Sequence, residues 1–236
     1  MDFSFLQDYW PMFAKGAWMT LKLSFFGVLL GTLFGVLFAL MRISRIWILK
    51  AVASIYIEVI RGTPLLVQIL VIYYGLTEFG INMSAFMAGV TALTINSAAY
   101  MAEVFRAGIQ AIDKGQTEAA RSLGMPKGMT MRYIVLPQAF RNMLPAIGNE
   151  FIIILKDSSL VSTVGIAELL YNARTLQGSL FLPFEPLIVV SVCYFVMTFT
   201  LSKLLGALER KLSNRDSSSG IKKIFRKKRD SERHRL

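Results

Sequence analysis

The sequence predicts an all-α, polytopic membrane protein of about five transmembrane helices, with its N-terminus outside and its C-terminus inside. Three observations carry that prediction. Hydrophobic residues make up 54% of the 236-residue chain, and the mean hydropathy is +0.52, too apolar for a soluble domain of this length. Long apolar runs recur along the chain, and Lys and Arg gather on alternate connections between them.

A hydrocarbon core about 30 Å thick needs about 20 helical residues, and that template fits near 18–41, 51–76, 84–107, 146–170 and 185–208. Residues 1–17 form an extracytoplasmic segment before the first run. That run follows Asp2, Asp8 and Lys15 rather than a basic leader and is too long for a signal core, so it is expected to be retained. Gly27, Gly31 and Gly35 repeat every four residues along it and define a stripe for close helix packing. The fourth run is interrupted by Glu150, Lys156 and Asp157. No internal repeat stands out.

Arg42, Arg45 and Lys50 follow the first run, and six further cations from Arg106 to Arg141 lie between the third and fourth. These connections belong inside, which leaves the N-terminus and the loops near 77–83 and 171–184 outside. The net charge of +11 thus sits where a membrane protein carries its basicity, and nucleic-acid binding is not expected. The tail at 211–236 is polar and basic, is expected to be disordered, and suits anionic lipid headgroups better than a specific partner. Cys193 is the single cysteine and His234 the single histidine, so neither an intrachain disulfide nor a metal site is available. No catalytic constellation is legible, and no membrane-embedded carboxylate pair is spaced like an acid and a base on one face. Trp10, Trp18 and Trp47 read as interfacial anchors.

Between the third and fourth runs, a loop at about 108–145 has its own structural signals. Thr117 can cap a helix that carries Glu118, Ala119 and Ala120, and Gly124 can end it in the left-handed conformation. Pro126 suits the first turn of a second helix through Met129, Tyr133 and Leu136, closed by Pro137, with Pro145 opening the fourth run. A compact helix–turn–helix element at the cytoplasmic face results. Loops of this length with their own structure tend to be functional.

The pattern Glu118-Ala119-Ala120, three residues, Gly124, nine residues, then Ile134-Val135-Leu136-Pro137 resembles the EAA loop of the membrane subunits of bacterial ATP-binding-cassette importers. The stretches "EVIRGTPLLVQ", "AYMAEVFRAGIQAI" and "LPQAFRNMLPAIGNEFIIILKDSSLVSTVGIAEL" are similar to the branch that imports polar amino acids, related to histidine, glutamine and arginine permeases. The resemblance spans roughly 15–210 and implies the type I importer transmembrane fold over 18–210. It also implies that the loop is a coupling helix docking into an ATPase subunit, with Glu118, Ala119, Ala120, Gly124, Ile134, Leu136 and Pro137 carrying the contact. The implied partners are ATP-binding-cassette ATPase subunits, a second permease subunit, identical or similar, and an extracytoplasmic solute-binding protein, all at a bacterial cytoplasmic membrane. No phosphate-cradling G-x-x-x-x-G-K-[ST] occurs, so ATP and Mg are expected on the partner ATPase, with no cofactor and no enzymatic activity in this chain.

Polar residues recur at mid-membrane depth, where a charge costs roughly 2.5–3.5 kcal/mol and usually faces a bundle interior or a water-filled path. Gly62 and Pro64 mark a helix break. Lys156 and Asp157 are adjacent and cannot face each other on one helix, so either the helix unwinds there, with Ser158 and Ser159 serving the backbone, or each finds a partner on another span. A zwitterionic amino acid needs donors for its carboxylate, from Lys156 or a broken-helix N-terminus, and an acceptor for its ammonium, from Asp157. Thr63, Gln68, Asn96 and Tyr100 are the orienting candidates, and Glu103 completes the candidate path. Glu58 with Arg61, and Glu103 with Arg106, are also spaced as intrahelical ion pairs. An ion-coupled transporter or channel for a small polar solute would use the same charges but leave the cytoplasmic element unexplained. Cystine or an opine would need the same zwitterion contacts.

Overall fold

The computed structural model describes residues 3–211, and the last helix is considered only to Lys211; the expectation for the basic tail therefore falls outside the described residues. The described chain is all-helical: α1 (Leu6–Ile43), α2 (Trp47–Arg61), α3 (Leu65–Glu78), α4 (Ala85–Gln110), α5 (Lys114–Ser122), α6 (Lys127–Thr130), a π-helical turn (Met131–Val135), α7 (Leu136–Asp157), a 3₁₀ helix (Ser158–Val164), α8 (Leu169–Leu180) and α9 (Glu185–Arg233).

Among the described residues, α1, α4 and the Glu185–Lys211 part of α9 are each long and apolar enough to cross a membrane. Helices α2 and α3 reach that standard together, bent by 106° at the Gly62–Pro64 break. Proline supplies no N–H to continue α2 and serves as the N-cap of α3. The expected fourth span is not one continuous α-helix. It changes to 3₁₀ geometry at Ser158 and then breaks at Gly165, which has φ +82°. The loop expected at 171–184 is instead mostly α8, capped by the Glu168 carboxylate, which accepts from the Leu170 and Tyr171 N–H at 2.9 and 2.7 Å.

Helix α1 also starts earlier than expected. Its 38 residues extend about 57 Å, nearly twice a hydrocarbon core. The extra turns over the anticipated N-terminal segment exist because Phe5 and Phe13 pack with Leu169, Leu176 and Val189 of α8 and α9.

The glycine stripe of α1 forms the centre of the bundle. A Cβ on Gly27 would lie 2.9 Å from the Leu93 Cβ, and one on Gly31 would lie 2.6 Å from the Ser97 Cβ. Both helices advance by four residues in the same sense, so α1 and α4 are parallel, with the bent α2–α3 pair returning between them. Such backbone approach replaces the hydrophobic driving force that helices lack in lipid. A second layer, Ile69, Ile154, Val161 and Val164, packs on Leu93 and brings α3, α7 and the 3₁₀ helix to the same centre.

Candidate functional site

Helix α4 carries both halves of the site. Asn96, Tyr100 and Glu103 recur at helical spacing on one face, turned towards the α2–α3 break, and the helix then leads into the loop at its C-terminal end. Gln68 on α3 donates from Nε2 to the Ile60 carbonyl at 2.7 Å, the Thr63 carbonyl at 3.1 Å and the Thr63 Oγ1 at 2.9 Å. Asn96 donates from Nδ2 to the Gln68 Oε1 at 3.1 Å. Thr63 and Pro64 are exposed at the elbow itself, whereas Gln68 and Asn96 are each only 7% exposed.

Tyr100 does not stand alone. The Arg61 guanidinium lies 5.2 Å from its ring centroid, a cation–π contact that replaces the expected Glu58–Arg61 pair; among the described residues that pair does not form. Glu103 does pair with Arg106, as the spacing suggested, and it also accepts from Arg42 of α1 at 2.6 Å. The Arg42–Glu103 bridge places the ends of α1 and α4 on one side of the bundle. Arg61, exposed at the break and facing the same surface as Tyr100, joins the site candidates in place of its expected pairing with Glu58.

Lys156 is exposed and Asp157 half-buried, and neither forms an ion pair with another helix among the described residues. Of the two resolutions expected for this adjacent pair, the geometry takes the first: α7 ends at Asp157 and the 3₁₀ helix begins. Ser158 donates to the Leu155 carbonyl at 2.9 Å, but Ser159 contributes its carbonyl, which accepts from the Ser162 hydroxyl at 2.7 Å. The 3₁₀ helix packs against α3, so the two irregular segments are neighbours.

Glu150, which in the sequence only interrupts the fourth apolar run, is buried at the centre of the structure. It is 5% exposed, and Ser97 approaches it from α4 at a geometry that leaves both Glu150 Oε1 and Ser97 Oγ without a hydrogen-bond partner. Glu150 and Asp157 are seven residues apart, which puts both carboxylates on one face of α7, about 10 Å apart along the axis. The i, i+7 spacing was available in the sequence. Its significance was not, because burial decides whether a carboxylate has water to pair with.

Beyond the C-terminal end of α4, the helix–turn–helix element differs from expectation in its caps. Asp113, not Thr117, is the N-cap of α5, its Oδ1 accepting from the Gly115 N–H at 2.8 Å, and Thr117 lies within the helix. Gly124 behaves as expected, with φ +85°. Its N–H donates to Arg121 O at 2.9 Å and that of Met125 to Ala120 O at 3.1 Å, the paired bonds of a Schellman termination. Ala120 is buried, Glu118 and Ala119 are exposed, and Leu123 at the tip is 85% exposed.

Pro137 does not close the second helix, and Pro145 does not open a new one. From Lys127 to Asp157 the chain runs as α6, π-turn and α7 in succession, with Pro137 in the first turn of α7 and Pro145 inside it. The π-turn makes this possible: Leu136 donates to Met131 O, a five-residue step that changes the register just where proline would otherwise forfeit a bond. Ile134 is half-buried there, and Leu136 and Pro137 are exposed. Tyr133 at 61% and Met129 at 46% exposure leave the apolar side of this helix uncovered.

Comparison with known proteins adds the following. Residues 31–214 match the family model described as binding-protein-dependent transport system inner membrane component. The arginine transport system permease protein ArtQ of Bacillus subtilis (strain 168) is 39% identical over 217 residues, 92% of this chain and 99% of that one. A putative glutamine transport system permease protein GlnP of Rickettsia bellii (strain RML369-C) is 38% identical over 199 residues, 84% of this chain and 91% of that one. Among solved structures, an amino acid ABC transporter crystallised with histidines superposes with a TM-score of 0.87 at 56% identity, covering 89% of this chain and 99% of that one. The inward-facing MetNI methionine ABC transporter, at 20% identity, shares the fold with a TM-score of 0.70, covering 89% of this chain and 99% of its own.

Proposed function

We propose that this chain, which belongs to the family of binding-protein-dependent transport system inner membrane components, is the permease subunit that carries polar amino acids across a bacterial cytoplasmic membrane. It moves solute by alternating access, and the energy comes from ATP and Mg bound on a separate ATPase subunit. Residues 18–210 are the permease domain, with the coupling loop at 108–145 inside and the N-terminus outside. Two permease subunits, two ATPases and an extracytoplasmic solute-binding protein form the working assembly.

The observation that carries this reading is the continuity of α4. One helix carries the polar face of Asn96, Tyr100 and Glu103 and, seven residues beyond Glu103, reaches the short connection to the capped α5. A bilayer-embedded bundle meets a soluble motor only through such a projection. Movement of α5 by the ATPase is thereby delivered to the helix that borders the path. The shift required is modest, since about 5.5 kcal/mol of differential binding converts a 1:99 equilibrium to 99:1.

For the solute, Arg61 and the α3 N-terminus supply donors to a carboxylate, and Asp157 supplies an acceptor to an ammonium. Glu150 adds a buried carboxyl group, its Oε1 without a hydrogen-bond partner, on the same face as Asp157. In its ionised form it favours a cationic side chain, a preference that the named arginine permease relative supports.

The test is reconstitution of the chain with its ATPase and binding protein in proteoliposomes. Uptake that requires ATP and the binding protein is expected. Uptake that persists without ATP and follows an imposed ion gradient overturns the proposal in favour of an ion-coupled carrier.

A further inference from the structure

We propose that Tyr56, Gln68 and Asn96 are positioning residues that fasten both arms of the α2–α3 elbow to consecutive residues of α4, so that elbow and α4 move as one body during transport. The inference rests on the transport reading above, but its conformational part can be measured independently of uptake.

The argument starts from what the break exposes. Ending α2 at Arg61 leaves its last carbonyls without helical partners, and at membrane depth each unsatisfied group costs several kcal/mol. Every one of those from Glu58 to Ile60 is taken. Gly62 N–H donates to Glu58 O at 2.9 Å, Thr63 Oγ1 donates to Val59 O at 3.0 Å, and Gln68 Nε2 donates to Ile60 O and Thr63 O. The Gln68 amide thus closes the elbow from the first turns of α3, and its Oε1 is occupied by Asn96. Both ends of the amide are engaged within the protein, and its N–H donors are spent inside the elbow.

The second fastening lies on α2. Tyr56 Oη donates to the carbonyl of Ile95 at 2.7 Å, and its ring stacks on Phe38 of α1 with centroids 4.0 Å apart. One arm of the elbow is therefore pinned at residue 95 and the other at residue 96. Two ties to adjacent residues of a single helix fix both the bend and its rotation, which neither tie alone would do. Only the three residues 111–113 separate α4 from α5, so the elbow is tied to the helix that leads into the coupling element.

Spin labels at Ile55 and Val71, both exposed and on opposite arms, measure the elbow directly in the assembled complex in lipid. In the wild type the distance is expected to be the same without nucleotide and with trapped ATP. Gln68→Leu is expected to broaden the distribution and to lower uptake about tenfold, with KM for the amino acid changed by less than about twofold. Tyr56→Phe removes only the hydroxyl, leaves the stacking ring, and should broaden the same distribution to a smaller degree, which guards against loss of the Gln68 variant to misfolding.

A wild-type elbow distance that changes with nucleotide overturns the proposal. So does a Gln68→Leu variant whose KM rises while maximal uptake stands, because that pattern marks a solute ligand. Wild-type vesicles that fail to take up any amino acid under ATP would instead count against the transport reading, while the distance measurement still decides the elbow.

Discussion

Gly35 of α1 lies so close to Met101 of α4 that a Cβ built on the glycine would sit 2.4 Å from the Met101 Cβ, with the Ala102 backbone nitrogen at 3.1 Å. No side-chain rotation relieves that contact, because both atoms are fixed to backbone. Gly35→Leu is therefore expected to force the helices apart and destabilise the protein by about 1–3 kcal/mol or more. A fall in the thermal midpoint in detergent checks it, and an unchanged midpoint would show that the two helices are not held at this distance.

Gly124 presents the opposite situation. An added Cβ meets nothing within 4 Å, so only the backbone conformation at φ +85° opposes substitution. Gly124→Val should cost about 1–2 kcal/mol locally and misdirect the turn after α5. We expect the protein to insert normally while uptake falls and ATP hydrolysis by the partner continues. Glu118→Lys, reversing an exposed charge on the same helix, should act in the same direction. Parallel assays of uptake and phosphate release read both variants, and tight coupling in each would remove the loop from energy transfer.

Removing the charge at Glu150 separates solute chemistries. Glu150→Gln keeps the shape but removes the ionisable carboxyl group beside Ser97. Uptake of a cationic amino acid should weaken by about tenfold or more, with uptake of a neutral one such as glutamine changed little. Competition between labelled arginine and unlabelled glutamine measures the difference. Equal loss for both would assign Glu150 to packing.

Asp157→Ala removes the proposed acceptor for the α-ammonium, a group every amino acid carries. It should reduce uptake of cationic and neutral substrates alike, without altering ATP hydrolysis in the absence of solute. Retention of full affinity and rate would take Asp157 out of the path.

Glu168 is fully buried and accepts three hydrogen bonds, from the Leu170 and Tyr171 N–H and from the Tyr194 hydroxyl at 2.7 Å. Glu168→Ala leaves three donors on half-buried residues without this acceptor and should destabilise the α8–α9 region by about 1–3 kcal/mol. Hydrogen exchange of the Leu170 and Tyr171 amides locates the loss. Protection at those amides equal to the wild type would contradict it.

Composition and local spacing are enough to read the solvent, the helical class, the glycine stripe and the helix–turn–helix element with its left-handed glycine. Each is written in local composition or in spacing along one helix. Gly124 is legible because its backbone requirement is its own, and Gly27 to Gly35 because a period of four needs no knowledge of the neighbour. Tertiary structure alone decided which polar groups at membrane depth are satisfied. Gln68 reads from sequence as a solute contact, yet its amide is taken by the carbonyls of Ile60 and Thr63; Glu150 reads as an interruption, yet it is buried with its Oε1 lacking a hydrogen-bond partner. Pro137 and Pro145 read as helix ends until a π-turn absorbs the change of register. The physical reason is common to all of these: hydrogen-bond satisfaction in a low-dielectric interior depends on groups brought together from distant parts of the chain, and no local pattern encodes that meeting.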